Sequence, residues 1–280
     1  MEISVPRSLP DALVDLSSHP DSRLIAGGTD VMVDINFGRS RPERLVSLRR
    51  LGELRRIERG ERIFIGSGCT FTDLAAGVDE PSLARAAATV GSVQIRNSGT
   101  VGGNLGTCSP AGDALPALLA LDADVELGSS AGRRVITLGE FMIGPRRTAL
   151  RPGELILGVS WRRAGSAQAF MKVGSRNAMV IAVASLALVL DRAQRRVRLA
   201  LGSVAPTIVR CPQAEALAEA ALADQDWAPR TLPDAVLEEF GHLAVRAAQP
   251  IDDVRGSASY RRHVVRVMAQ RALEQTCASL

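Results

Sequence analysis

Two glycine pairs limit most strongly how this chain folds and what it binds. The first glycine segment (residues 26–30, Ala-Gly-Gly-Thr-Asp) follows a short apolar strand, and the second glycine segment (residues 100–104, Thr-Val-Gly-Gly-Asn) lies further along the chain. Glycine lacks Cβ and tolerates positive φ, so paired glycines let a backbone approach a ligand and present its N–H groups. Two such segments indicate a cradle that holds one pyrophosphate from two sides.

Each glycine segment alone is weak evidence, because a glycine pair after a strand is usually an ordinary tight turn. The pattern GxGxxG at the start of a helix is absent from both places. This absence argues against the Rossmann type of dinucleotide-binding fold. The acidic residues beside the segments are expected to cap helices or to accept hydrogen bonds from sugar or adenine groups rather than to contact phosphate.

Composition excludes several classes of protein. The chain has 280 residues, 46% of them hydrophobic, which is enough for a large core and suggests about two domains. The net charge of +4 is too small for this length to indicate a nucleic-acid partner. No signal peptide follows Met1, and no apolar run is long enough for a membrane span, so a cytoplasmic protein is expected.

The ionisable residues show no catalytic or metal-binding constellation. Four widely spaced cysteines without a CxxC pair predict reduced thiols and neither an iron–sulfur nor a zinc site within this chain. His19, His242 and His263 are far apart. We therefore predict no catalytic residue and no metal ligand, as is typical of a protein whose cofactor carries the chemistry. The arginine cluster at 192–198 is expected to be a solvated hairpin.

Hydrophobic periodicity predicts three successive blocks. Residues 1–60 are predicted to form a first βαβ-like subdomain, and residues 61–165 a second that contains a hairpin at 123–138. Between Gly91 and Gly112 neither a helical nor a strand period is visible, which predicts a long irregular and functional stretch. Residues 166–280 read as three antiparallel strands, at 169–173, 180–190 and 197–204, followed by three helices, which predicts an α+β domain.

Three stretches carry a resemblance to a known family. The first is the long run from Gly91 to Asp113 (GSVQIRNSGTVGGNLGTCSPAGD), the second is the run from Leu24 to Val31 (LIAGGTDV), and the third is the run from Pro250 to Arg262 (PIDDVRGSASYRR). Together they resemble the FAD-binding medium subunits of the xanthine dehydrogenase and carbon monoxide dehydrogenase family of molybdenum hydroxylases. They come in the family's order and cover nearly the whole chain.

The resemblance implies an α+β fold with a non-covalent FAD. Two subdomains of the vanillyl-alcohol oxidase and p-cresol methylhydroxylase type would cradle the cofactor, followed by a C-terminal α+β domain of the carbon monoxide dehydrogenase flavoprotein type, with an antiparallel sheet and helices. By position, the family's pyrophosphate and adenosine contacts fall on Leu24, Ile25, Ala26, Gly27, Gly28, Thr29, Asp30, Val31, Thr100, Val101, Gly102, Gly103 and Asn104.

Four further positions match contacts of the family nearer the flavin. Asp113 matches an FAD contact, and Val90 and Ile156 match apolar contacts. Lys172, the only lysine, matches a position at the ring or ribityl chain, where its charge would favour the reduced ring. The competing interpretation of Lys172 is a plain surface lysine.

The same resemblance implies partners. A large subunit would hold the molybdenum–pterin site that oxidises the substrate, and a small subunit would hold two [2Fe–2S] clusters, in a dimer of heterotrimers. This chain would be the electron-transfer subunit of that oxidoreductase, accepting electrons from the clusters and passing them to NAD+, oxygen or a quinone. Val180 stands where relatives often have Asp, so the carboxylate that the resemblance would place near the flavin rim is missing.

Two other functions stay open. One is a self-sufficient flavin oxidase or reductase of the same fold, which would need an acid or base on the substrate side. The other is a scaffold subunit that has lost FAD, against which the intact glycine segments argue. The first glycine segment offers neither His nor Cys for a covalent flavin link, and Cys108 is expected to be a buried thiol.

Overall fold

The computed structural model describes residues 1–165, 167–228 and 231–280. The strands are β1 (Glu2–Ser4), β2 (Arg23–Ile25), β3 (Arg44–Ser47), β4 (Ile57–Glu58), β5 (Arg62–Gly66), β6 (Asp124–Ser129), β7 (Gly132–Thr137), β8 (Met142–Gly144), β9 (Arg147–Thr148), β10 (Leu155–Arg162), β11 (Gln168–Val173), β12 (Ala184–Asp191), β13 (Arg196–Gly202) and β14 (Val209–Arg210). The helices are α1 (Leu9–Ser18), α2 (Val31–Asn36), α3 (Phe71–Gly77), α4 (Pro81–Ala88), α5 (Val93–Ser98), α6 (Val101–Thr107), α7 (Ala114–Ala120), α8 (Leu138–Phe141), α9 (Pro212–Ala223), α10 (Asp234–Ala247) and α11 (Ala258–Cys277).

The chain divides into two compact units that interleave in sequence. The first unit comprises Met1–Asp73, Ser92–Cys108 and Ala123–Arg163, and the second comprises Leu74–Gly91, Ser109–Asp122 and Ala164–Leu280. The three-segment division at residues 60 and 165 stays a prediction. Its second boundary borders on Ser166, which lies outside the described residues. In the described part of the chain, no helix is both long and apolar enough to cross a bilayer.

The first unit contains a small parallel sheet in the order β1-β3-β2. Helix α1 leads from β1 towards β2, and the Ser8 side chain caps it by accepting a hydrogen bond from the Asp11 N–H. Ala12 and Leu16 of α1 are buried with Val46 of β3 in one apolar cluster. This geometry confirms the predicted βαβ-like opening and places the first glycine segment directly after β2.

A larger antiparallel sheet in the order β4-β5-β10-β6-β7 completes the first unit. The β6–β7 pair is the hairpin predicted from the sequence, and it leads into α8 through a capping box formed by Thr137 and Glu140. Leu155 and Leu157 of β10 join the apolar cluster that also contains Val46. The central strand of this sheet therefore shares a core with the parallel sheet.

The second unit contains an antiparallel sheet in the order β11-β12-β13-β14, packed against α9, α10 and α11. All residues of β12 are buried, as expected of a central strand. The predicted strand start at Val180 was wrong, because β12 begins at Ala184. Met179 adopts φ 51°, Ile181 is exposed, and Val180 lies against Gly174, so this segment forms a loop.

The entry to α11 is built around a buried arginine. Arg261 is almost fully buried and donates hydrogen bonds of 2.6 Å to the carbonyl oxygens of Val183 and Ser203. Its guanidinium also pairs with Asp253 at 2.6 Å. The third family-like stretch, residues 250–262, therefore anchors α11 to the sheet of the second unit.

The prediction of a solvated arginine cluster at 192–198 was wrong for one member. Arg198 of β13 is buried and pairs with Asp122 at 2.6 Å and with the buried carboxylate of Asp191 at 3.3 Å. A buried charge must be paired, and the sequence does not reveal that Asp122, far away along the chain, is its partner. Arg198 ties β13 to the end of α7.

Candidate functional site

The first glycine segment presents unused backbone donors. It leaves β2 at Ile25, and Gly28 adopts φ 72°, which L-residues with a side chain rarely adopt. Among the described residues, no hydrogen-bond acceptor faces the N–H groups of Gly27, Gly28 or Thr29. Residues 24–31 are all half-buried. The segment therefore offers a partly shielded row of N–H donors, as a phosphate-binding backbone requires.

The second glycine segment is the first turn of a helix, and the predicted irregular stretch between Gly91 and Gly112 contains α5 and α6. Thr100 caps α6 by accepting from the Gly103 N–H at 3.0 Å. The N–H groups of Val101, Gly102 and Asn104 donate to other carbonyl oxygens of the first unit. These donors are used inside the chain, so this segment does not supply the free N–H groups that its sequence suggested. Its contact with a cofactor stays a prediction.

Two of the paired glycines are required by contacts within the protein. A Cβ built on Gly27 would overlap the Ser98 carbonyl oxygen, and one built on Gly102 would lie 2.5 Å from Cβ of Ser67. The contact at Gly27 packs the first glycine segment directly against the residues that lead into α6. The structure thus brings the two glycine segments together within the first unit.

Two other glycines leave one side of α6 bare. Gly103 and Gly106 are exposed and are separated by about one helical turn. A Cβ on Gly106 would meet only Cδ1 of Ile156 at 3.8 Å, an ordinary van der Waals distance. The predicted apolar contact Ile156 is buried in β10 beside this surface. Such a bare backbone surface suits a flat or closely approaching ligand.

Two of the buried polar atoms of the first unit that lack hydrogen-bond partners among the described residues lie at α6. They are Oδ1 of Asn104, in α6, and Oγ of Ser67, against which Gly102 packs. A buried polar group without a partner costs about 1–3 kcal/mol. A polar ligand with hydrogen-bonding groups would satisfy these atoms, so the residues present fit a dinucleotide cofactor.

A polar network connects the beginning of α2 to the end of α6. Oγ1 of Thr107 donates to Oδ2 of Asp30 at 3.1 Å. Nη2 of Arg146 lies 3.4 Å from the same oxygen and 2.8 Å from Oδ2 of Asp34. Asp30 precedes α2 but makes no side-chain cap bond, so its expected capping role is wrong.

The remaining predicted residues lie in the second unit. Nζ of Lys172 pairs with Oδ2 of Asp113 at 2.6 Å and donates to the Thr89 carbonyl oxygen at 3.2 Å, next to the half-buried Val90. Both side chains of the pair are less than one-tenth exposed, which excludes the interpretation of Lys172 as a plain surface lysine. The charge of Lys172 is already compensated within the chain.

Burial controls the chemistry of Asp113. Removal from water raises the pKa of its carboxyl from the usual 3.8 to about 6, although Lys172 favours the ionised form. Its second oxygen, Oδ1, has no hydrogen-bond partner among the described residues. Asp113 therefore keeps an acceptor for a further group.

Sequence reasoning missed three polar residues at this site. Ser67 and Arg146 carry no recognisable motif, because their roles arise from strands and turns that meet only in the fold. Thr107 lies inside the long family-like run, so its proximity to the site could have been inferred from that run. The predicted site residues fall into both compact units. Val90, Asp113 and Lys172 belong to the second unit, and all the others belong to the first.

Comparison with known proteins decides the family. Residues 1–161 match the model described as FAD binding domain in molybdopterin dehydrogenase, and residues 169–276 match the CO dehydrogenase flavoprotein C-terminal domain. The chain belongs to this family of molybdopterin dehydrogenase flavoprotein subunits. The family assignment made from the three sequence stretches is therefore confirmed.

Individual relatives agree with this assignment. The chain is 30% identical to a xanthine dehydrogenase FAD-binding subunit of Escherichia coli O157:H7, over 97% of this chain and 94% of the relative. It is also 30% identical to the carbon monoxide dehydrogenase medium chain of Hydrogenophaga pseudoflava, over 97% and 95%. A solved carbon monoxide dehydrogenase from Oligotropha carboxidovorans superposes with a TM-score of 0.88 at 27% identity, covering 100% of this chain and 98% of that one.

These matches confirm the predicted α+β fold, with an FAD-binding region followed by a C-terminal domain that contains an antiparallel sheet. They also confirm the class of the protein, an oxidoreductase subunit whose cofactor is FAD.

Proposed function

We propose that this chain is the FAD-carrying electron-transfer subunit of a cytoplasmic molybdenum hydroxylase, assembled as a dimer of heterotrimers. A large partner subunit holds the molybdenum–pterin site, and a small partner subunit holds the [2Fe–2S] clusters from which this chain accepts electrons. It passes them to NAD+, oxygen or a quinone. One observation carries the proposal: the first glycine segment packs against the entry to α6 while the N–H groups of Gly27, Gly28 and Thr29 stay unused.

The chain's own residues bind and orient the cofactor in this proposal. FAD, when bound, supplies the electron-carrying chemistry. Residues 24–31 would hold the pyrophosphate through the free N–H groups, and residues 100–104 would contribute the orphaned Asn104 oxygen and the bare glycine face rather than backbone donors. Ile156, Val90, Asp113 and Lys172 would contact the remainder of the cofactor. The Lys172–Asp113 pair fixes the Thr89 carbonyl and thereby the backbone at Val90.

Non-covalent binding is supported by the state of the nearest thiol. Cys108 is 3% exposed, and its Sγ donates to the Gly144 carbonyl oxygen at 3.7 Å. Burial raises the pKa of this thiol, which lowers the fraction of reactive thiolate. We therefore expect FAD to leave the chain on denaturation.

The acceptor is left open among three classes. The loop position where relatives often carry a carboxylate is Val180, whose methyl groups lie against Gly174. An apolar side chain in that place cannot accept a hydrogen bond from a nicotinamide group. Direct comparison of NAD+, oxygen and a soluble quinone as oxidants of the reduced complex identifies the class.

The division of labour is tested by anaerobic absorbance measurements. The purified full chain, loaded with FAD, is mixed with purines, nicotinate and aldehydes, first alone and then after co-expression with its large and small partner subunits. We expect the flavin band of the isolated chain to persist with every compound and to be bleached by dithionite. In the complex, at least one compound should bleach it.

Two results would contradict the proposal. Bleaching of the isolated chain by an organic compound would support a self-sufficient oxidase or reductase. A chain that stays colourless after incubation with FAD would support a scaffold without cofactor.

A further inference from the structure

Arg146 lies outside both glycine segments, yet its side chain contacts the end of the first one. It lies in the turn between β8 and β9 with φ 57°, and its guanidinium reaches Asp30 and Asp34 at the two ends of the first turn of α2. Its backbone N–H donates separately to the Cys108 carbonyl oxygen at 3.1 Å. The backbone contact and the side-chain contact are independent, so the side chain can be changed without removing the backbone contact.

The two carboxylates create an electrostatic problem for a phosphate ligand. Asp30 closes the first glycine segment, and Asp34 lies one helical turn further along α2, where its side chain is mostly buried. Both would repel a pyrophosphate at Gly27, Gly28 and Thr29, since partly buried charges are poorly screened. A cation that pairs with both carboxylates reduces this repulsion, because its positive charge offsets one of the two negative charges.

Arg146 is the cation placed to do so. Among the described residues, it is the arginine that lies within 3.5 Å of both carboxylates. Arg39 lies 3.9 Å from Asp34 alone, and its side chain is largely exposed. Thr107 of α6 donates a hydrogen bond to the same Asp30 oxygen that Arg146 contacts. The network therefore fixes where the Asp30 carboxylate lies and offsets part of its negative charge there.

We propose that Arg146 is a positioning residue of the FAD site: it compensates the charges of Asp30 and Asp34 beside the first glycine segment so that this segment accepts a pyrophosphate. The inference rests on the proposed function. Arg146 would act through Asp30 and Asp34 and would not touch the cofactor itself. The two carboxylates would pair with Arg146 and would not contact the phosphate groups.

The experiment uses the full chain freed of FAD and the variants Arg146→Gln, Asp34→Asn and the double variant. FAD affinity is measured by flavin fluorescence at low and high KCl, and the thermal midpoint of each cofactor-free variant is measured in parallel. Arg147→Gln, which removes an exposed positive charge from the next residue, is the matched control.

We expect Arg146→Gln to weaken FAD binding by about fivefold at low salt, since partly exposed ion pairs contribute up to about 1 kcal/mol. The loss should shrink at high KCl. Asp34→Asn in the Arg146→Gln background should restore most of the affinity, because it removes an uncompensated charge. Arg147→Gln should bind FAD like the wild type.

Different results would contradict this inference and the proposed function. Unchanged affinity in Arg146→Gln, or an equal loss in the single and double variants, would overturn the charge-compensation role. A wild-type chain that takes up no FAD would instead overturn the proposed function itself, together with this inference.

Discussion

At the scale of single residues, the glycines of the site have two different roles. Gly27 and Gly102 are glycine because neighbouring protein atoms occupy the space of a side chain. Gly103 and Gly106 have exposed surface around them. Sequence alone suggested one shared role, close approach to a pyrophosphate. Gly103 and Gly106 leave exposed surface free for a ligand, whereas Gly27 would contribute only its backbone N–H group.

Substitutions at these glycines should separate folding from cofactor binding. Gly102→Ala is expected to destabilise the chain by about 1–3 kcal/mol, because its Cβ would lie 2.5 Å from Ser67. Gly106→Ala should keep or slightly raise stability, since alanine favours a helix. It should nevertheless weaken FAD binding by at least about fivefold if the bare face holds the cofactor.

Thermal melting of the cofactor-free variants and FAD titration of each measure the two effects. A Gly106→Ala chain with unaltered FAD affinity would show that the bare face of α6 is not a binding surface. Equal stability of Gly102→Ala and the wild type would contradict the packing role of Gly102.

Asp113 predicts a pH dependence of stability. Its pKa is about 6 in the folded chain and 3.8 ordinarily, so its ionisation costs more in the folded than in the unfolded state. The free energy of unfolding of the wild type, minus that of Asp113→Asn, should therefore fall as pH rises from about 4 to about 6. The fall is at most about 3 kcal/mol, with no further change above this range.

Urea denaturation of both chains across this pH range measures that difference. A difference that stays constant, or that rises with pH, would contradict the raised pKa of Asp113.

At the scale of elements, long periodic segments were predictable and short ones were not. The three helices predicted after the sheet are present as α9 to α11, and the β6–β7 hairpin appears within one residue of its predicted bounds, because each of these elements has a recognisable end. Helices α5 and α6 were missed. They are six and seven residues long, contain Ser and Gly, and depend on contacts such as that of the Gly102 N–H with Ser67.

The same limit applies to polar contacts between elements. The sequence predicted the glycine segments, a candidate lysine and Asp113 as an FAD contact, but neither the Lys172–Asp113 pair nor the Arg146 network could be inferred. Each contact joins residues at least 59 positions apart, and no local sequence pattern connects them. Such pairs become visible only when the strands and helices that carry them are in place.

Arg198 provides a test of one such contact. Arg198→Met should destabilise the chain by about 3–5 kcal/mol, because it leaves the buried carboxylate of Asp191 without its cation. Arg196→Met is the matched control on the same strand. Its side chain is 65% exposed and pairs with Glu219, so we expect a change below about 1 kcal/mol. Similar thermal midpoints for the two variants would contradict the structural role of Arg198.

At the scale of the whole molecule, the compact units do not coincide with continuous stretches of chain. Helices α4 and α7 precede residue 123 in sequence, yet they pack on the sheet β11-β12-β13-β14 of the second unit. Every residue of α7 is buried. No local pattern indicates this interleaving, since each segment looks like an ordinary part of the region around it.

The interleaving predicts the behaviour of a fragment. Residues 166–280 expressed alone should lack cooperative unfolding, because removal of α4 and α7 exposes an apolar surface of their sheet. Far-UV circular dichroism during heating, compared with the full chain, measures this. A fragment that unfolds cooperatively near the temperature of the full chain would show that it is an independent domain.

The central claim is that this chain carries one FAD without a covalent link. Its most direct test is equilibrium titration of the purified, cofactor-free full chain with FAD, followed by denaturation and filtration. We expect saturation at about one FAD per chain and complete recovery of the flavin in the filtrate. Failure to bind FAD, or flavin that stays attached to the denatured chain, would contradict it.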